Sequence, residues 1–217
     1  MKIIKAGYEI LPVNGQPLDG KALLRHIELC GRVCYKSEDQ ITNDSAEKFA
    51  RNIIKRGHES VLEHASFSVR FIVDRGVSHE IVRHRLASYS QESTRYCNYS
   101  QDKFDSEITV IEPVFWASCS AQYYRWHDAM SKAEEAYFGE LEGEASPQQA
   151  RSVLPNSLKT EVVMTTNLRE WRHFLRLRTS PAAHPQMREV TVPLLKELQK
   201  IIPVVFDDIE VEQHGQA

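Results

Sequence analysis

Arg83, His84 and Arg85 stand side by side at the head of RHRLASYSQESTR, residues 83–95. There Arg83, Arg85 and Arg95 face a single acid, Glu92, among the hydroxyls of Ser88, Ser90, Ser93 and Thr94. A second basic island runs from 151 to 178, where Arg151, Lys159, Arg169, Arg172, Arg176 and Arg178 outnumber Glu161 and Glu170 for a local charge of +4. Across the two islands arginine exceeds lysine eight to one. A planar guanidinium with five fixed donors suits phosphates and flat heterocycles better than a mobile ammonium does, and the hydroxyls add donors that also accept. The natural guest is a phosphorylated, ring-bearing ligand, and the two islands are expected to wall one anion pocket.

Other chemistries find less to work with. His58 and His64 are six apart and His79 and His84 five, so neither pair has the i, i+4 spacing of a helical zinc site, and HExxH is missing. No metal is expected. GxSxG, GxGxxG and GxxxxGK are absent as well, so a bound dinucleotide or flavin would not sit on a Rossmann loop. His58, two residues before Ser60, is a candidate donor to a cofactor edge. A cofactor-free phosphate hydrolase built on His58 and His84 lacks a recognised nucleophile. A nucleic-acid-binding module, stacking bases on Tyr89, Tyr96 and Tyr99 between the arginines, is the alternative from another class, and the net charge of -3 argues against it.

These residues need a frame. With 217 residues, 41% apolar and 26% charged, the chain has the composition of one soluble domain with a sizeable core, not of a disordered or fibrous polymer. The opening MKIIKAGYEI is cut by Glu9 before an apolar core of signal-peptide length forms, and no stretch approaches the roughly 18 apolar residues of a membrane span. A cytoplasmic protein is expected, in keeping with four cysteines, Cys30, Cys34, Cys97 and Cys119, that form no CxxC pair.

The alternation Ile4, Ala6, Tyr8, Ile10 predicts a strand ended by the Pro12, Asn14, Gly15 turn, and 19–35 predicts a helix with Cys30 and Cys34 on its buried stripe. Ser45 is expected to cap a second helix that stops at Gly57, with HESVLEH a loop beyond it. Phe67, Val69, Phe71 and Val73 predict a strand over 66–73, followed by a helix from Ser78 that carries Arg83, His84 and Arg85. Further on, 108–111 reads as a strand and 117–138 as a helix. Asn167 with Glu170 three residues later reads as a capping box opening LREWRHFLRLR. That helix should bury Leu168, Trp171 and Leu175 and expose Arg169, Arg172, His173 and Arg176. Strands and helices mix without regular alternation, so the fold class is α+β, one domain over 1–217 with a mostly antiparallel or mixed sheet.

Arg-His-Arg followed after seven residues by Ser93 resembles the signature of the flavin-dependent thymidylate synthases. HESVLEHASF at 58–67, RSVLP at 151–155 and NLREWRHFLRLR at 167–178 are similar to further blocks of that family in the same order. The resemblance implies a homotetramer that holds FAD and dUMP at sites shared between subunits. It would make dTMP with 5,10-methylenetetrahydrofolate as carbon donor and NADPH as reductant. Carried over by position, His58, Ser60, Arg83, His84, Arg85, Gln91, Asn167, Leu168, Arg169 and His173 would meet FAD. Glu80, Arg83, Gln91, Glu92, Ser93, Thr94, Arg95, Arg151 and Arg178 would meet dUMP. Glu80 stands where the family usually has glutamine, and Ser90-Gln91 where it often has Asn-Glu. No role is transferred to His184.

The same resemblance makes Arg178 the catalytic cation, drawing electrons through the pyrimidine, and needs no protein nucleophile. Cys97 is the cysteine nearest the motif. Ser93, which would need an adjacent base to attack, is expected as a phosphate or flavin-edge contact.

Overall fold

The structure is a computed structural model that describes residues 1–101 and 104–211. Its opening segment corrects the single predicted strand. β1 (Lys2–Ile4) and β2 (Gly7–Ile10) are separate and belong to different sheets. Asn14 and Gly15, both in left-handed backbone, turn the chain toward α1 (Gly20–Arg32), which Asp19 caps by accepting from the N–H groups of Lys21 and Ala22. α1 buries Leu24 and Ile27 but ends before Cys34, which is exposed beyond its last turn, so the expected buried cysteine stripe is not formed.

α2 (Ser45–Lys55) buries Ala46, Ala50 and Ile53 and gives way to Gly57 at φ 71°. Ser45 is its first residue rather than its cap, because the hydroxyl is drawn to Glu28 Oε2, to which it donates at 2.7 Å. The HESVLEH loop is wound into 3-10 turns over Glu59–His64.

β3 (Ser66–Asp74) buries Phe67, Val69, Phe71 and Val73 as its alternation demands. Asp74 then accepts from Val77 N–H at 2.7 Å and caps α3 (Arg75–Ile81), which starts and stops earlier than predicted. Next come β4 (Ser88–Gln91), β5 (Thr109–Ile111), α4 (Ala121–Glu142) and α5 (Pro147–Ala150), then β6 (Lys159–Asn167), α6 (Leu168–Arg178), α7 (Pro185–Ile201) and α8 (Pro203–Phe206).

The strands form a four-stranded sheet in the order β2-β3-β6-β4 and a parallel pair of β1 with β5. β3 and β6 run antiparallel, as the backbone bond from Leu168 N–H to Ala65 and the 2.7 Å contact between the Ser68 and Thr165 hydroxyls fix in register. The architecture is α+β, as expected.

Contacts divide the chain into two compact units. The first holds Met1–Gly7, Phe71–Arg83 and Tyr89–Val162, and the second Tyr8–Arg70, His84–Ser88 and the chain from Val163 on. In the first, Tyr99, Ile108, Val110, Trp126, Met130, Tyr137 and Leu158 form a core beneath α4. In the second, α6 buries Leu168, Trp171, Phe174 and Leu175 and packs on α7, whose inner face is Met187, Val190, Leu194, Leu195 and Leu198. Trp171 stacks on Phe67 at 4.9 Å and donates its indole N–H to the Phe67 carbonyl, so the ring is apolar in its packing and satisfied in its one polar atom. Among the described residues no helix is long and apolar enough to cross a membrane.

Candidate functional site

Within the second unit, the side chain of Asn167 accepts from Glu170 N–H at 2.9 Å, so the predicted cap at the start of α6 is in place. Glu170 does not reach back to complete a box. Its carboxylate meets His84, Oε1 to Nδ1 at 3.2 Å, and on the other side of the ring Arg178 donates Nε–H to His84 Nε2 at 3.1 Å. Burial pushes the imidazole below its usual pKa, the charge of Arg178 adds to the push, and Glu170 opposes it. Phe174 lies edge-on to the ring at 4.9 Å, and the exposed His173 sits 5.6 Å away.

Ligating atoms of His84, Glu170 and His173 fall within 4.8 Å of one another. A cation bound through Nε2 would take the lone pair that Arg178 holds, and one bound through Nδ1 would leave Nε2 as an N–H facing the guanidinium, so the donor set suits an oriented imidazole better than a metal.

Arg83, His84 and Arg85 lie in the turn beyond α3, not on a helix as the sequence suggested. The Tyr89 hydroxyl donates to the Ile81 carbonyl at 2.9 Å, which occupies the acceptor that another helical turn would use. Release from the helix lets alternate residues part company: Arg83 and Arg85 are exposed while His84 is 6% exposed.

The polar face of α6 also needs correction. Arg169, His173 and Arg176 are exposed, but Arg172 is wholly buried and donates to Asp208, Glu59 and the Val205 carbonyl. Arg169 pairs with Glu63, and Arg176 with Asp208. Leu168, a candidate cofactor contact, has its side chain in the core and its N–H bonded to Ala65.

In the first unit, β4 and the turn after it present Gln91 to Arg95. The Gln91 amide donates to Ser78 Oγ at 2.9 Å and Thr160 Oγ1 at 3.3 Å. Glu92 accepts from the Tyr99 hydroxyl at 3.1 Å and from Lys159 Nζ at 3.0 Å, and Lys159 also pairs with Glu161 at 2.7 Å. Burial alone would lower the Lys159 pKa, but its bonds to Glu161 and Glu92 hold it above the ordinary value. Lys159 is therefore a clamp on acids rather than a wall of an anion pocket, and the charge of the second island is largely matched where it stands.

Arg95 is exposed but not loose: Nε donates to Gln148 Oε1 at 2.9 Å and the guanidinium lies 5.6 Å from the Tyr96 ring centroid. Ser93 Oγ accepts from Arg95 N–H at 3.3 Å, Thr94 is buried, and Arg151 is exposed at the head of a 3-10 turn. Glu80 is half-buried on α3, with Arg83 following in the turn.

The candidate substrate contacts thus fall in the first unit except Arg178, and the candidate cofactor contacts in the second except Arg83 and Gln91. The second unit also carries an open cleft of about 850 Å³, with His58 and Ser60 on its wall beside Arg32, Lys48, Arg56, Tyr35 and Phe49. Scattered cations and aromatic faces in one cavity are what a pyrophosphate joined to flat rings requires. Neither these three cations, of which Arg56 follows Lys55 directly, nor the Glu170 carboxylate, which the sequence offers as half of a capping box, is among the site residues expected from the sequence.

The family described as thymidylate synthase complementing protein matches residues 21–204. The chain is 37% identical over 205 residues to a flavin-dependent thymidylate synthase of Mycobacterium sp. (strain JLS), covering 85% of this chain and 79% of that one. A flavin-dependent thymidylate synthase of Mycobacterium tuberculosis (strain ATCC 25177 / H37Ra) is 34% identical over 201 residues, with the same coverages of 85% and 79%. Among solved structures, the UMP/dUMP methylase PolB of Streptomyces cacaoi, crystallised with 5-Br dUMP, aligns with a TM-score of 0.73 at 22% identity over 95% of this chain and 96% of that one, a likeness of fold.

Proposed function

We infer that this site makes thymidylate, from the premise that the chain belongs to the flavin-dependent thymidylate synthase family. The reaction is the reductive methylation of dUMP to dTMP, with 5,10-methylenetetrahydrofolate as carbon donor and NADPH as reductant. FAD, when bound, supplies the hydride that completes the methyl group. The alternative of a nucleic-acid-binding module has no support among the matches.

The observation that carries the assignment of roles is Arg178 held through Nε by a buried His84. Carbon 5 of uracil is a weak nucleophile, so methylation requires electron density pushed into the ring. A guanidinium laid against the pyrimidine edge stabilises the negative charge that develops there, including on loss of the proton from ring nitrogen 3. It stays charged throughout, which makes the stabilisation preorganised. Arg95 and Arg151 hold the phosphate. Ser93, Thr94, Gln91, Arg83 and Glu80 complete the dUMP contacts, while Glu92, matched by Lys159, orders the turn that carries them. Cys97 packs against the core of the first unit, in keeping with a mechanism that needs no thiolate.

For FAD, the cleft bearing His58 and Ser60 supports the reading: Lys48 and Arg56 line it with Tyr35, and Arg32, paired with Glu28, lies over the ring of Phe49. Arg85, His84, Asn167, Leu168, Arg169 and His173 supply the remaining cofactor contacts. Sites shared between the subunits of a cytoplasmic homotetramer follow from the same family reading. The unbroken match over 21–204 supports one functional domain.

Replacing Arg178 with Ala tests the assignment. Bound flavin, read from its visible absorbance, should stay, while dUMP methylation should fall at least about a hundredfold. Unchanged turnover removes Arg178 from its role.

A further inference from the structure

We propose that Glu170 is a positioning residue for this reaction: it fixes the tautomer of His84, and His84 in turn orients Arg178. The proposal rests on the reading of Arg178 as the catalytic cation.

Arginine has no lone pair to offer, so the Arg178 Nε–H at 3.1 Å makes His84 Nε2 an acceptor. A neutral imidazole with Nε2 bare carries its proton on Nδ1, and Nδ1 faces Glu170 Oε1 at 3.2 Å. The carboxylate is thus what makes this tautomer the favoured one. With the proton on Nε2 instead, two N–H groups would point at each other, and the guanidinium would have to swing away. The low exposure of His84 and Glu170, 6% and 7%, keeps water from substituting for either partner.

Glu170 is itself held in place. Its N–H is fixed by Asn167 at 2.9 Å, so the carboxylate starts from the first, capped turn of α6 and Arg178 sits at the last residue of the same helix. One rigid helix therefore presents both the group that sets the imidazole and the group that the imidazole holds. Among the charged and titratable groups around His84, Glu170, Arg178 and His173 act on its proton affinity.

The test uses the flavin-loaded enzyme. In the parent, nitrogen-15 spectra of the histidines should show His84 neutral with its proton on Nδ1. In Glu170→Ala that signal moves to the Nε2–H form and kcat drops on the order of tenfold to a hundredfold, with little change in KM for dUMP. Glu170→Gln, whose amide oxygen still accepts from Nδ1–H, restores most of the rate and the tautomer. A parent His84 protonated on Nε2 overturns the proposal. So does a Glu170→Ala enzyme with parental kcat when Arg178→Ala is inactive, and so does Glu170→Gln as slow as Glu170→Ala. Should Arg178→Ala itself turn over normally, the catalytic assignment falls and the positioning role falls with it, whatever the tautomer.

Discussion

Arg172 lays its guanidinium across the carboxylate of Asp208 in a two-pronged contact, Nη1 to Oδ1 at 2.7 Å and Nη2 to Oδ2 at 2.8 Å, from a side chain with no exposure to solvent. The same fork reaches Glu59 at 3.1 Å, so one buried cation ties the chain after α8 to the segment that bears His58 and Ser60.

That arrangement makes Arg172→Leu a costly change despite its position among exposed arginines. Removing one partner of a buried pair costs about 3 to 5 kcal/mol when the other is left stranded, and the half-exposed Asp208 can rehydrate, which places the loss near the lower end, about 3 kcal/mol. Arg172 holds the Asp208 carboxyl below its ordinary pKa, with Arg176 helping. A depressed folded pKa adds stability above the unfolded value that is lost as pH falls through the folded one. Urea unfolding should therefore show the parent well ahead of the variant at pH 7, with the gap closing below about pH 4. A gap that is constant with pH would mean that packing, and not the ion pair, accounts for it.

Two glycines inside helices should respond to alanine with opposite signs. A Cβ on Gly20, at the start of α1, would lie 2.1 Å from the Ile201 carbonyl oxygen, which is backbone and has little room to give. On Gly139, exposed in α4, it would meet nothing within 4 Å. Gly139→Ala should stabilise by about 0.5 to 1 kcal/mol, the ordinary helix-propensity gain, whereas Gly20→Ala should cost about 1 to 3 kcal/mol through forced displacement of α7. Thermal unfolding of both variants decides it, and a Gly20→Ala protein as stable as the parent would contradict the close approach.

Periodicity made the interiors of the elements legible. Phe67 through Val73 and Leu168, Trp171 and Leu175 sit where alternation and helical spacing put them, because a sheet face or helix stripe that must be buried writes its period into the chain. Ends and partners were not legible in the same way. The helix at RHR stops early because Tyr89 takes the Ile81 carbonyl, and Arg172 is buried because acids at positions 59 and 208 wait for it. Both causes are contacts between residues distant along the chain or on separate elements, and local propensity carries no trace of them. The motif residues of the candidate site were found by their order and type. What the sequence could not show is that Glu170, read as half of a capping box, turns to His84 instead.

Acid should unsettle His84. Its folded pKa lies below the ordinary value of 6.5, chiefly through burial, so the unfolded chain binds the extra proton first. Between the folded and unfolded values, unfolding takes up a proton, and stability therefore rises with pH until about 6.5 and then levels. A His84→Asn protein should lack that part of the slope, seen as the difference between two unfolding curves measured from pH 5 to 8. Activity should follow the same direction, since a doubly protonated imidazole turns an N–H toward Arg178 and gives up the bond that orients it. Identical pH slopes for parent and variant would place the depressed proton affinity elsewhere.

Arg95 offers a test of the phosphate assignment that does not depend on turnover. Its guanidinium is aimed by Gln148, which accepts from Nε at 2.9 Å, and by the face of Tyr96, so the remaining nitrogens can meet an anion at little entropic cost. Losing a charge-assisted contact of this kind is worth about 1.5 to 3 kcal/mol, and Arg95→Ala should raise the Kd for dUMP on the order of tenfold or more. Gln148→Ala keeps the charge and loses only the aim, so its effect should be a few-fold. Deoxyuridine, which has the base and sugar but no phosphate, supplies the control: calorimetric titration should find its binding equal in parent and Arg95→Ala. If both ligands weaken together, Arg95 shapes the turn that carries Ser93 and Thr94 instead of gripping the phosphate. If neither weakens, the phosphate is held by other groups, with Arg151 the first to replace.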